Sequence, residues 1–174
     1  PMGTMEIFWT PPFAGWIKYN LDGASKGNPR PAEYGIAFCD HNNDLLNGFY
    51  GSYGHDTALE AEMMSLIKVV EIVHQRNWSN IWFESDSTTI VHGVRKNQIY
   101  LAWKLTLKWI KCLDTLASKN FIITHVYHKS NSLADRLANQ GIPEASGAHV
   151  TTFTEDLLSI LNRDKCKIPS FRLL

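Results

Sequence analysis

Asp22, Glu62, Asp86 and Asp135 are the residues through which this chain could do chemistry. Each falls where a strand is expected to end or a helix to begin. One aspartate in such a place is by default a cap or a turn residue. Four carboxylates drawn into one crevice are another matter, because such a nest cannot stay unpaired. A hard divalent cation such as Mg²⁺ is its natural counter-charge, and phosphoryl transfer the chemistry such a site serves.

The elements that must position them follow from hydrophobic period. Trp16-Ile17-Lys18-Tyr19-Asn20-Leu21-Asp22 alternates apolar and polar residues and reads as a half-buried strand closed by Asp22, with turn formers from Ala24 to Pro31 behind it. Tyr34 to Cys39 and Leu45 to Tyr53 supply two more strands, so the chain opens as an antiparallel meander. Leu59, Met63, Leu66, Ile67, Val70 and Val73 then form the stripe of an amphipathic helix reaching about Arg76, with Glu62 beside it. Ile81 to Asp86 reads as a buried strand, and Ser87 or Thr88 caps a helix toward Lys96. A second long helix is expected from Ala102 to Ser118 and a last strand from Phe121 to Tyr127. Ser130 or Asn131 then caps a helix that carries Asp135 in its second turn. Repeated βα alternation of this kind gives a mixed sheet with helices packed on it.

The bulk numbers bound the answer. At 174 residues and 44% hydrophobic, the chain has material for one buried core. Lys+Arg 17 against Asp+Glu 17 leaves no global positive field, so contact with nucleic acid has to use local patches. Cys39, Cys112 and Cys166 have neither paired nor zinc-ligand spacing and read as reduced thiols. With no apolar run long enough for a membrane span and no signal-peptide pattern, an intracellular protein, nuclear or cytoplasmic and not secreted, is expected, without a membrane partner. Pro1 to Thr4 reads as a cloning remnant, so residues 1–8 are set apart as a lead. Residues 9–143 are expected as the domain, and 144–174 as linker, short helix (Thr154 to Leu161) and tail.

Four segments in this order resemble type I ribonuclease H. They are Asn20-Leu21-Asp22-Gly23-Ala24-Ser25-Lys26-Gly27-Asn28-Pro29, Ala61-Glu62, Glu84-Ser85-Asp86-Ser87, and His125-Val126-Tyr127 with Asn131-Ser132-Leu133-Ala134-Asp135. Trp9-Thr10-Pro11-Pro12 and Gly15-Trp16-Ile17-Lys18-Tyr19-Asn20 look more specifically like the ribonuclease H domain of plant non-LTR retroelements (retrotransposons) and their stand-alone derivatives. The resemblance implies an α/β fold with a five-stranded mixed sheet, an antiparallel meander plus parallel strands, flanked by helices. It implies an endonuclease, a hydrolase of the RNA strand of RNA/DNA hybrids, using two Mg²⁺ ions with Mn²⁺ as a substitute. Asp22, Glu62, Asp86 and Asp135 would be its metal-binding catalytic residues, and His125 a mobile histidine aiding proton transfer or product departure.

Gly23, Ser25, Lys26, Gly27, Asn28, Thr57 and Asn131 would contact the nucleic acid. A monomer is expected, with other parts of a retroelement polyprotein as possible partners. The basic helical handle of some bacterial relatives is absent, and Ala58, Leu59 and His128 stand where relatives carry other residues. Lys104, Lys108 and Lys111 lie on one helix face, either as the solvated side or as phosphate contacts. Trp9, Trp78, Trp82, Trp103 and Trp109 are read as packing. The competing function is a nucleic-acid-binding module that has kept the fold and lost turnover. A proofreading-type exonuclease is disfavoured because Asp22-Gly23-Ala24 lacks the Asp-x-Glu pair.

Overall fold

The computed structural model describes residues 4–25, 31–55, 57–99, 103–139, 148–149, 155–165 and 170–173. Its strands are β1 (Thr4–Ile7), β2 (Ile17–Ser25), β3 (Pro31–Cys39), β4 (Leu45–His55), β5 (Asn80–Ser85), β6 (Asn120–His125), β7 (Ala148–His149) and β8 (Ser170–Leu173). The helices are α1 (Ala58–Arg76), α2 (Thr88–Lys96), α3 (Trp103–Leu116), α4 (Ser132–Ala138) and α5 (Glu155–Lys165). The main sheet runs β6-β5-β2-β3-β4-β7, parallel across β6, β5 and β2 and antiparallel across β2, β3 and β4. These are the expected five strands, with the two residues of β7 added on the β4 edge.

Tyr19, Leu21, Ile36, Phe38, Ile81 and Phe83 point to one face and meet the stripe of α1, with α2 and α3 beside it. Thr57 closes a reciprocal capping box with Glu60, and Asn77 ends α1 in the left-handed conformation. A cap contributes about 1 kcal/mol. Burying Met63, Leu66, Ile67, Val70 and Val73 contributes roughly 1.5–3 kcal/mol each, so packing rather than capping holds α1 in place.

The opposite face is covered by α4 and α5, where Ala37, Leu133, Leu137, Leu157 and Leu161 form a second, smaller cluster. For that reason β2 is not half-buried as its alternation suggests: Lys18, Asn20 and Asp22 are as inaccessible as the apolar residues between them. Asp22 does not close the strand either. Parallel pairing with β5 stops at Leu21–Ser85, but β2 continues to Ser25 as a hairpin arm held by β3 alone.

Thr4, set aside as part of a remnant, pairs with Leu173, and β1 and β8 form a two-stranded antiparallel ribbon. The described residues of the far end are thus helix and strand, α5 and β8. The α5 helix packs on α4, and β8 lies against the helical turn His128–Ser130.

Two glycines set how near the helices come. A Cβ on Gly23 would lie 2.3 Å from the backbone nitrogen of Glu62. One on Gly35 would lie 2.2 Å from the Ala134 carbonyl oxygen and 2.3 Å from the Ala138 nitrogen. Backbone cannot yield as a flexible side chain does, so Gly35→Ala is expected to cost roughly 1–3 kcal/mol. A lower urea midpoint with an unchanged m-value would show it, and an unaltered midpoint would contradict the close approach.

Candidate active site

Asp22 and Asp86 follow directly on the paired residues Leu21 and Ser85, so the register of two parallel strands sets them side by side. Glu62 reaches the same place from the first turns of α1, where Gly23 admits the helix backbone. Asp135 comes from the other face on α4, its backbone N–H bonded to the Asn131 carbonyl and its Oδ1 accepting from Asn139 Nδ2 at 2.9 Å. His128 adds a ring: Nδ1 lies 2.7 Å from Asp86 Oδ2 and Nε2 lies 3.8 Å from Asp135 Oδ1.

Electrostatics report the same convergence. Asp22 is pushed from the ordinary 3.8 up to about 8, first by burial, then by the charges of Asp86, Asp135 and Glu62, against a lowering contribution from the Gly23 N–H. Glu62 is pushed from 4.5 to about 7 by burial, opposed by a hydrogen bond from Ser87 and reinforced by Asp86. Among the described residues no Lys or Arg pairs with Asp22 or Glu62. Nor do any three His, Cys, Asp or Glu side chains among them form a ready-made ligand cage. An oxygen-only set that shares a field without crowding into a cage fits a cation that keeps several of its own waters, as Mg²⁺ does.

The other expected site residues fare differently. His125 is exposed at the end of β6 with its ring edge-on to Tyr127 at 5.5 Å, whereas the histidine that touches the carboxylates is His128. Asn131 is not open to nucleic acid: it is 1% exposed, its Oδ1 accepts from Asn20 and its Nδ2 donates to the Leu21 carbonyl. Nor does it cap α4 through its side chain, which is spent on β2. Thr57 is exposed, and its hydroxyl works as the α1 cap. Gly23 serves the packing of α1. The side chain of Ser25, and Lys26, Gly27 and Asn28 altogether, lie outside the described residues.

Leu59 packs against the main core, and Ala58 is exposed. Trp103 is 75% exposed and not a packing residue as expected; with Leu107 and Ile110 it forms an apolar strip on α3.

Sequence reasoning missed a polar cluster behind the carboxylates. Lys18 Nζ lies 2.7 Å from Glu84 Oε2, donates to the Thr10 carbonyl at 2.7 Å, and sits 4.4 and 4.2 Å from the ring centres of Trp9 and Trp82. Asn20 donates to Glu84 Oε2 at 2.9 Å and accepts from Trp9 Nε1 at 3.2 Å. A glutamate inside the otherwise apolar run of β5 was the available signal.

Comparison with known proteins places this geometry among relatives. A family model described as reverse transcriptase-like matches residues 20–141. An Arabidopsis thaliana protein named for ribonuclease H is 32% identical over 159 residues, which are 91% of this chain but only 26% of that protein. The chain thus spans about a quarter of that relative's length. The crystal structure of ribonuclease H1 from the archaeon Halobacterium salinarum superposes with a TM-score of 0.65 at 26% identity, covering 72% of this chain and 96% of the other. A ribonuclease H1 solved in complex with an RNA/DNA hybrid has the same fold, with a TM-score of 0.65, 24% identity and the same two coverages.

The raised carboxyls have a consequence for stability. Below an ordinary carboxylate pKa the folded and unfolded chains are both protonated and the contribution of Asp22 and Glu62 is complete. It is lost progressively as pH rises from that range through about 7 for Glu62 and about 8 for Asp22, because the unfolded chain ionises in water while the folded state still holds the proton. Melting temperatures of metal-free protein in EDTA are expected to fall across that window. Asp22→Asn, neutral throughout, is expected to flatten the fall and to melt above the parent at alkaline pH. Parallel curves for the two proteins would contradict the burial of a shared charge.

Proposed function

We propose a catalytic role for this chain, which belongs to the reverse transcriptase-like family and, within it, to the type I ribonucleases H: it hydrolyses the RNA strand of RNA/DNA hybrids from within. The observation that carries the proposal is the field at Asp22, a buried carboxyl surrounded by Asp86, Asp135 and Glu62 with no described lysine or arginine to neutralise it.

Asp22, Glu62, Asp86 and Asp135 would hold two Mg²⁺ ions, with Mn²⁺ able to replace them. Bound there, such ions supply an activated water and neutralise charge on the scissile phosphate and the departing 3′ oxygen. The chain's own residues do the rest. Asp22, carried on β2 opposite Gly35 of β3 and held by the Gly23 N–H, is the carboxylate central to the four. Glu62 is steered by Ser87, which also caps α2, so the scissile strand meets a carboxylate of fixed direction. Asp135 is held by Asn139. His128 is bonded to Asp86 and faces Asp135, a place from which an imidazole can accept or donate a proton at the departing product, a role the resemblance gave to His125. Thr57, exposed at the start of α1, is the described residue set to meet a phosphate of the DNA strand.

One observation favours the binding-module reading: His128 Nδ1, 2.7 Å from Asp86 Oδ2, already occupies one of the carboxylates. One assay separates the two. With Mg²⁺ and an internally labelled hybrid, internal cuts confined to the RNA strand are expected, abolished by EDTA and reduced to background by Asp86→Asn. Hybrid binding without cleavage in Mg²⁺ or Mn²⁺ would replace the nuclease with the binding module, and trimming from the ends would contradict internal hydrolysis. The same domain acting within a longer retroelement polyprotein, and as a monomer inside the cell, belongs to this proposal as well.

A further inference from the structure

Lys18 has a side chain with no exposure at all, and Glu84, its partner, is almost as deeply placed. A buried ion pair is a poor device for stability alone, because apolar residues of similar volume serve as well or better. What distinguishes this pair is where it lies. Cross-strand register sets Asn20 beside Glu84 and Glu84 beside Thr124, one polar row across β2, β5 and β6; two residues further on stand Asp22, on the same face of β2, and Asp86, just past the end of β5.

Within the row each side chain is oriented by its neighbour. Glu84 Oε2 accepts from both Lys18 and Asn20, and Oε1 accepts from Thr124 at 3.5 Å. Thr124 in turn accepts from Trp82 Nε1 at 2.6 Å. The anion obliges Asn20 to present its NH₂, which leaves its oxygen for the indole of Trp9. The same NH₂ donates to Asn131 Oδ1 at 3.2 Å, so Asn131 must turn its own NH₂ to the Leu21 carbonyl at 2.8 Å. Asn131 provides the carbonyl that accepts the Asp135 N–H at 3.0 Å, the bond that opens α4. The sense of each hydrogen bond thus passes from a charge on β5, through β2, to the helix that carries Asp135.

We infer that Lys18, Glu84 and Asn20 are positioning residues for the acidic site: the buried ion pair fixes the Asn20 carboxamide, which through Asn131 docks α4 where Asp135 faces Asp22 and Asp86. This inference rests on the nuclease reading for its catalytic consequence but not for its geometric one. In the outward row a displaced carboxylate weakens metal binding and turnover, while the surface that meets the hybrid is unchanged.

Two variants test it: the apolar pair Lys18→Met/Glu84→Leu, and the isosteric Glu84→Gln, which removes the anion and lets the amides turn over. Three readouts apply to the full chain: Mn²⁺ affinity by calorimetry, kcat and KM on a labelled hybrid, and the NMR shifts of the Asn131 carboxamide and the Asp135 amide. The apolar pair is expected to melt within a few degrees of the parent, to bind Mn²⁺ about ten-fold more weakly, and to lose kcat by a similar factor with KM unchanged. Glu84→Gln is expected to move the Asn131 and Asp135 resonances, and it decides the matter by the same readouts if the apolar pair does not fold. Folded variants with parental Mn²⁺ affinity, kcat and resonances overturn the inference. If the parent itself neither binds Mn²⁺ nor cuts the hybrid, the nuclease reading fails, and the resonances alone then support or overturn the docking of α4.

Discussion

Backbone meeting backbone across the β2–β3 pair is the constraint from which the acidic site follows. Glu62 and Asp135 ride on helices that lie on opposite faces of the sheet, and each helix must come nearer than a methyl group permits. Gly23 admits α1 on one side and Gly35 admits α4 on the other, at neighbouring paired positions of the two strands, since Asp22 lies opposite Gly35 and Gly23 opposite Tyr34. Asp22 stands between the two approaches. Without them the four carboxylates would belong to separate surfaces, and Asp22, lifted to about 8 first by burial and then by its acidic neighbours, would lose both causes to water.

That closeness has an energetic cost that the rest of the domain must cover. Like charges in a desolvated place destabilise the fold that gathers them, as functional sites commonly do. The large aromatic and aliphatic core under α1 supplies the surplus, and its members are nearly inaccessible to solvent. Burying several such side chains outweighs one strained carboxyl by a wide margin. The fold can therefore keep Asp22 and Glu62 without a lysine or arginine paired to them among the described residues.

Much of this was legible in the chain. Period alone placed the meander, α1, β5, α3, β6 and α4, because a stripe such as Leu59, Met63, Leu66, Ile67, Val70 and Val73 has only one physical use. The order of the acidic motifs pointed to the cleft. What stayed hidden depended on the second face of the sheet. Lys18 and Asn20 look like solvent residues in an alternating strand, and only the arrival of Trp9, α4 and α5 turns them into interior groups. Asn131 looked like a cap because caps are local, whereas its true partners lie on β2, more than a hundred residues earlier in the chain. His128 and His125 share a segment and a residue type. Which of them faces the carboxylates is decided by the helical turn His128–Ser130, a detail of backbone direction that spacing does not record.

The ribbon of β1 and β8 joins residues far apart in the sequence, Thr4 beside Leu173 and Ile7 beside Ser170, and its β8 strand lies against the turn that bears His128. Polypeptide continuing past Thr4 and past Leu173 would leave the ribbon from the same end, because the two residues are cross-strand partners. A fusion partner, a tag or a neighbouring module joined at both would be tethered through one short ribbon, whose β8 strand reaches the turn that carries His128.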